Sequence, residues 1–377
     1  YYMLGSEDPQ KVMSSFIEEV MENERVHVHL NSEVANVEGY VGNFKTTVNS
    51  KGERREIESG IIIVATGAEE YMPTEYFYGV DERVLSQREL EEKLANGAFN
   101  AKTLVMIQCV GSRNEKNSNC SRVCCAQAVK NALKIKEVSP ETEVYVLYRD
   151  IRTYGFMEEA YREAAAKGVL FIRFDDEKNI KVTRENERLE VSVWEPIMKE
   201  QIQLEPDFLV LSVATVPNRD NERIAKMLKV PLTKEGFFLE AHMKLRPVDF
   251  ATEGIFLCGL AHSPKFIDES MAQASATTSR AATILSKKVL EVEGAVANVN
   301  EDLCSGCRVC ESLCEYNAIE VREVNGKIKA HVLEALCKGC GVCGSACPTG
   351  AISMLHFTDD QIAAQVRAAL TEELGYD

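Results

Sequence analysis

The sequence predicts an α/β chain that closes with a small, cysteine-rich α+β module. Three observations carry that expectation. Strands and helices alternate from Lys102 to Phe174, the βαβ order of a parallel sheet. Two apolar runs, GIIIVATG ending at Gly67 and GIFLCG ending at Gly259, read as buried strands stopped by small-residue turns. The spacing C-x2-C-x2-C-x3-C occurs twice near the C-terminal end, over Cys304–Cys314 and Cys337–Cys347.

Composition sets the bounds. The 377 residues correspond to two or three domains at about 150 residues each. With 45% hydrophobic and 27% charged residues the chain can bury a large core, which excludes disordered and collagen-like classes. A formal charge of −16 repels phosphate backbones, so nucleic acid is not an expected partner. No apolar run approaches the roughly 18 residues of a membrane span, and no basic-then-apolar leader opens the sequence. Neither a membrane span nor an export signal is therefore expected. The first residue is Tyr1, which suits a processed, truncated or divided gene product.

In chain order, Asp8-Pro9 opens an amphipathic helix that runs to about Glu22. Residues 26–48 alternate like antiparallel strands with a turn at Gly39. His27 and His29 fall on one strand face with no third ligand nearby, so packing or surface exposure is expected of them. The run REIESGIIIVATGA carries a buried strand to Ala65-Thr66-Gly67. From Lys102 come the strand TLVMIQCV, a helix from about Cys124, the strand EVYVLYRD, the helix EEAYREAAAKG and the strand VLFIRF. ERLEVSVWEP and DFLVLSVATVPN alternate as strands, and FATEGIFLCGL is a further buried one. The helix ESMAQASATTSRAATILSKKVL is rich in Ala and Ser, which permits close approach to a flat group or a backbone. Tight helix packing is the plainer alternative. The expected divisions are residues 1–100 and 216–295 as two parts of an outer unit, 101–215 as an inserted βαβ unit, 296–356 as the cysteine module and 357–377 as a terminal helix. That helix starts near Thr358-Asp359, and its face of Ile362, Val366, Ala369 and Leu370 is expected to dock on its own chain.

The cysteines number thirteen, an odd count, and their spacing is not that of a disulfide scaffold. The two repeats have the two-cluster ferredoxin pattern. Cysteines at i, i+3 and i+6 wrap one corner of a cubane, and the fourth, a few residues on, points the other way to complete the opposite cluster. Cys304, Cys307, Cys310 and Cys347 are therefore assigned to one [4Fe–4S] centre, and Cys337, Cys340, Cys343 and Cys314 to the other. Glu315 stands where the second half has Pro348, a change that removes no ligand. Zinc knuckles are the alternative, but zinc sites set two C-x2-C pairs further apart. Gly339, Gly341 and Gly344 match G-x-G-x-x-G between cluster cysteines, the wrong context for a dinucleotide loop. Cys109 ends the apolar run TLVMIQCVGS, and Cys120, Cys124 and Cys125 lead into the next helix. On spacing alone these four read equally well as ligands of a further cluster or as buried thiols. Cys258 reads as a core thiol.

ATG at 65–67, VATVPN at 213–218 and TEGIFLCG at 252–259, in order around a βαβ insertion, resemble the two-dinucleotide-domain flavoproteins of thioredoxin reductase-like architecture. QCVGSR, CSRVCC, VYVLYRDIRTYG and SPKFIDESMAQASA further resemble the HdrA family, the flavin and iron–sulfur subunits of heterodisulfide reductase, along essentially the whole chain. That resemblance implies FAD lying along Ala65, Thr66, Gly67, Cys258, Gly259, Lys265, Phe266 and Gln273. It implies Lys265 as the catalytic cation beside the flavin ring, favouring the reduced anion. It moves Cys109, Cys120, Cys124 and Cys125 to ligands of a third [4Fe–4S] cluster, in a unit that has lost its nicotinamide site. It implies a flavin-dependent iron–sulfur oxidoreductase subunit that distributes electrons, by bifurcation, between a two-electron carrier and one-electron clusters. The implied partners are subunits resembling HdrB and HdrC of heterodisulfide reductase, a hydrogenase-, formate- or NADH-linked input subunit, and ferredoxin. A reducing, anaerobic cytoplasm is the expected compartment.

Two departures qualify the resemblance. The family's amino-terminal G-x-G-x-x-G segment, which holds the FAD pyrophosphate, does not occur in this sequence. A separate chain supplies it, the sequence is partial, or FAD is lost. Leu260 follows Gly259 where the flavoprotein pattern has Asp. The competing reading is an iron–sulfur relay or scaffold subunit that binds no FAD on its own. An NAD(P)H-dependent disulfide reductase would need a redox-active cysteine pair beside the flavin, and none is found.

Overall fold

The computed structural model describes residues 8–185, 188–290 and 294–370. The first part of the outer unit holds α1 (Pro9–Glu22), β1 (Ser32–Tyr40), β2 (Asn43–Ser50), β3 (Glu53–Ser59), β4 (Ile62–Val64) and β5 (Ala68–Glu70). The inserted unit holds β6 (Val84–Ser86), α2 (Gln87–Ala95), β7 (Thr103–Val110), α3 (Cys124–Val138), β8 (Glu143–Tyr148), α4 (Met157–Ala166), β9 (Leu170–Arg173), β10 (Ile180–Glu185), β11 (Arg188–Glu195), β12 (Glu200–Leu204) and β13 (Phe208–Val213). The chain returns to the outer unit through β14 (Thr215–Pro217), α5 (Asn221–Leu228), β15 (Ile255–Leu257) and α6 (Ile267–Leu285). The cysteine module holds β16 (Ala297–Val299), α7 (Val309–Leu313), β17 (Ile319–Val324), β18 (Lys327–Val332), α8 (Val342–Ser345) and β19 (Ile352–Met354), and α9 (Asp359–Leu370) follows.

The inserted unit is a three-layer body. Its five-stranded sheet has the order β6-β13-β7-β8-β9, with all pairs parallel. Both faces are covered, which is why β7 reads as one unbroken apolar run. On one face Leu104, Met106, Val144 and Val146 pack with Ala128, Val129 and Ile135 of α3. On the other, Val105, Ile107, Leu209 and Leu211 meet Leu189, Val191 and Val193 of the antiparallel β10-β11-β12 sheet. Each such fully buried aliphatic side chain contributes about 1.5–3 kcal/mol. β6 joins this sheet and Leu90 and Leu94 of α2 pack under it, so the unit begins ahead of residue 101, the boundary expected from sequence.

The outer unit is joined across the insertion. β4 and β15 pair in parallel, with Val64 opposite Leu257, and β5 pairs antiparallel with β14. Below them Val41, Phe44, Phe238, Phe250 and Leu257 share one core, in which the Phe238 and Phe250 rings meet edge-on at 5.8 Å.

Three local expectations are corrected, and for α6 the tight-packing alternative is not what the structure shows. The hairpin turns at Val41-Gly42 rather than Gly39, because Tyr40 pairs with Asn43 and Gly39 with Phe44. Gly39 is a strand glycine, where an added Cβ would lie 2.0 Å from Asn43 O. Residues 26–29 are exposed and outside any strand, so His27 and His29 share no strand face. Few residues of α6 are packed: only Thr277 and Ala281 are buried, and Ala272, Ala274 and Ala276 are exposed. α9 buries nothing among the described residues, and Ile362, Val366, Ala369 and Leu370 all face solvent. An amphipathic pattern shows which face wants cover, not what covers it.

Candidate functional site

The cysteine module is built as two halves that exchange their last cysteine. Cys304, Cys307, Cys310 and Cys347 line one cavity, and Cys314, Cys337, Cys340 and Cys343 line another. The backbone around them follows the same exchange. Ala330 N donates to Cys304 Sγ at 3.5 Å, and its counterpart Ala297 N donates to Cys337 Sγ at 3.3 Å. Ala318 N donates to Cys314 Sγ and Ala351 N to Cys347 Sγ, both at 3.3 Å. Such N–H···S bonds stabilise thiolate charge and tune cluster potential. The glycines have the same logic. A Cβ on Gly306 would lie 2.3 Å from Ile328 O, and one on Gly339 would lie 2.2 Å from Ala295 O, so each first loop passes hard against the opposite half. Gly341 caps α8 between cluster cysteines and follows no strand, which agrees with discarding the dinucleotide loop.

The other four cysteines converge from separate elements at the end of β7. Cys109 has φ = 68°, and the pairing of β7 with β13 slips beside it, between Leu211 and Val213. A bulge of this kind re-aims a side chain out of the strand alternation. Cys120 accepts from Arg122 N at 3.3 Å, and Cys124 and Cys125 are buried in the first turn of α3. Burial first, then neighbouring Cys125, pushes the Cys109 thiol up. The adjacent thiols share one proton unequally: Cys125 and burial hold the Cys124 thiol high, while Cys124, with Arg152 and Arg113 assisting, brings the Cys125 thiol down.

Two observations bear on whether a cluster fits there. Gln108, beside Cys109, has both amide atoms buried without a partner, and so does Arg149 Nε, whose charge reaches Cys109. Orphaned buried polar atoms ask for a missing acceptor or donor. Among the described residues no three His, Cys, Asp or Glu side chains close on a single ion-sized point. Thiolates on separate irons of a cubane stand further apart than ligands of one zinc. The donor set, all sulfur with cations around it, suits a cluster.

The residues expected along FAD form one wall. Parallel strands β4 and β15 end side by side, with Cys258 N donating to Val64 O at 3.1 Å, which sets Ala65-Thr66-Gly67 next to Cys258-Gly259. The crevice beyond the carboxyl ends of parallel strands is where α/β sheets hold ligands. Gly67 and Gly259 have φ of 72° and 69°, and a Cβ on either would meet open space. Cys258 is half-buried at the strand end, and Ala65 and Thr66 are exposed. Lys265 is only 9% exposed, and its Nζ donates to Gly259 O at 2.8 Å and Ser263 O at 3.1 Å. Burial, then the Arg122 charge, lowers its pKa to about 8. A chain of hydrogen bonds backs the wall. Glu240 Oε2 meets His262 Nε2 at 2.9 Å, Gln273 Nε2 meets His262 Nδ1 at 2.8 Å, and Gly259 N donates to Gln273 Oε1 at 2.8 Å. Phe266 caps α6 next to Lys265. The wall suits one side of a flavin and is open on the other. Sequence reasoning misses Glu240 and His262; the one available signal is His262 itself, a polar residue just after the strand-ending glycine.

Fold and site together define an iron–sulfur protein of the electron-transfer class: a split α/β core with a two-cluster module attached. Residues 297–354 match the family model described as a 4Fe-4S dicluster domain. The HdrA subunit of the H(2):CoB-CoM heterodisulfide,ferredoxin reductase of Methanothermobacter thermautotrophicus is 41% identical over 342 residues, 85% of this chain and 51% of that protein. The HdrA-like protein of Archaeoglobus profundus is 36% identical over 85% of this chain and 50% of its own length. Among solved structures, thioredoxin reductase from T. acidophilum aligns with TM-score 0.47 and 15% identity, over 75% of this chain and 82% of that one. The chain is thus a homologue of HdrA of heterodisulfide reductase, and it spans about half the length of the curated relatives it matches. No helix among the described residues is long and apolar enough to cross a membrane.

Proposed function

We propose that this chain is the flavin and iron–sulfur subunit of a heterodisulfide-reductase-like complex, distributing electrons between a two-electron carrier and one-electron clusters. Bound FAD would supply exchange of electron pairs as well as single electrons. The chain's own residues do the rest. Lys265, held over Gly259, offers a cation to the flavin ring. Cys109, Cys120, Cys124 and Cys125 hold the cluster site nearest to it, and the two halves of the module carry electrons onward. The observation that carries the reading is the link between the first two: Arg122, inside the CSRVCC loop, hydrogen-bonds Pro264 O, adjacent to Lys265, at 3.0 Å. The proposed setting is a reducing cytoplasm. The proposed partners are HdrB- and HdrC-like subunits, a hydrogenase-, formate- or NADH-linked input subunit, ferredoxin, and a polypeptide segment bearing the glycine-rich FAD motif. Electron bifurcation is the finer part of this proposal.

A relay or scaffold subunit without FAD is the second reading. It is favoured by Leu260 and by the Gly259 amide, which is already engaged by Gln273. Iron, sulfide and flavin per chain, measured on protein purified without oxygen, decide between them. About twelve irons with about one FAD support the first reading. About eight irons and no flavin sink it in favour of the relay.

A further inference from the structure

Arg122 lies between Cys120 and Cys124 with φ = 61°, a left-handed conformation that non-glycine residues adopt mainly under local constraint. Its guanidinium leaves the cysteine loop and crosses to the outer unit. Nη1 donates to Pro264 O at 3.0 Å, while Nη2 donates to Glu269 Oε1 at 2.6 Å and to Tyr154 Oη at 2.7 Å. The other Glu269 oxygen accepts from Phe266 N at 2.8 Å, which closes the start of α6. The Tyr154 ring meets the Phe266 ring edge-on at 6.0 Å. Both chain neighbours of Lys265, Pro264 and Phe266, are therefore held from the inserted unit. The backbone N of the same arginine donates to Cys120 Sγ. Two nitrogens of a planar fork reach these acceptors from separate positions, which a single lysine ammonium does not reproduce.

We propose that Arg122 is the positioning residue for Lys265: one side chain ties the cysteine loop to the Pro264–Glu269 segment, so that the cluster site and the ammonium are set against each other. This deepens the flavin reading and rests on it for the meaning of Lys265. Five groups face the ammonium: Arg122 from the cysteine loop, Glu269 from α6, Cys258 at the end of β15, Glu240, and His262. Arg122 is the only permanent cation among them, and it opposes protonation of Lys265.

The test uses the full chain with its clusters. Acylation of Lys265 by an amine-directed ester is followed against pH by peptide mass spectrometry, beside amide exchange over residues 263–270. Arg122→Gln should raise exchange there severalfold and move the Lys265 labelling midpoint upward, because the like charge beside the ammonium is gone. Arg122→Lys should raise exchange as much but shift the midpoint less, because the charge stays. Glu269→Gln, outside the cysteine loop, should also raise exchange, and it carries the test if Arg122→Gln loses its clusters. Exchange at the wild-type level in a cluster-bearing Arg122→Gln overturns the proposal, as does an unmoved midpoint in that variant; if that variant loses its clusters, exchange at the wild-type level in Glu269→Gln overturns it. Neither readout requires flavin, so a chain without FAD would sink the functional reading and leave this result standing.

Discussion

The two kinds of cysteine site are made in different ways. In the module, each cavity is lined by three cysteines from one tight loop and a fourth from the opposite half, and the same amide and glycine contacts recur on both sides. At the end of β7, the four cysteines come from a bulged strand end, a loop and the first turn of α3, with no repeat to define them. The first site is specified by local spacing and the second by tertiary topology. Damage should therefore stay within a half-exchanged pair in the module, and should spread into the neighbouring unit at the other site.

The largest effect tests the exchange itself. Cys304→Ser with Cys347→Ser should cost about four irons, and Cys304→Ser with Cys314→Ser about eight. A loss of about eight from the first pair would mean that each half closes its own cluster. Next, Cys124→Ala should remove about four irons and one EPR signal while the module's signals persist. If every signal survives unchanged, the strand-end site holds no cluster.

Smaller effects sharpen the contrast. Gly306→Ala and Gly339→Ala should each destabilise the module by about 2–4 kcal/mol, combining left-handed strain with a clash against an opposing carbonyl. Gly341→Ala, which meets open space, should cost about 1–2 kcal/mol from strain alone. Bleaching of cluster absorbance in denaturant reads all three, and equal costs would remove the opposing carbonyls from the explanation. Gln108→Leu should stabilise the cluster-free chain by about 1–3 kcal/mol by deleting two orphaned buried atoms. In the cluster-loaded chain it should bring no gain. Equal gains in apo and loaded melts would show that the amide does not serve the cluster.

Much of this is legible in the sequence because its cause is local. The βαβ order, the unbroken run of β7 and the cysteine spacing each act within a few residues. The parts that are not legible join residues far apart in the chain. Arg122 reaches Glu269, and the His262–Glu240 pair is recognisable only once the 3-10 turn at Gly259–Ala261 has formed. Cys109 stands at the margin: its place at a strand end can be read, but not the positive φ that turns it. The terminal helix fails for the opposite reason, since its apolar stripe is plain and its partner is not.

The parallel pairing of β4 with β15 also has a consequence for the order of assembly. Val64 finds Leu257 only after the entire inserted unit has been threaded between them. Closing so long a loop is entropically costly while that segment is uncollapsed, and its cost falls once the insertion is compact. We expect the inserted unit to gain protection first in pulse-labelled exchange during refolding, and the strand-end wall last. Destabilising substitutions deep under α3 would then delay the wall bearing Ala65–Gly67 and Gly259 without touching any residue in it.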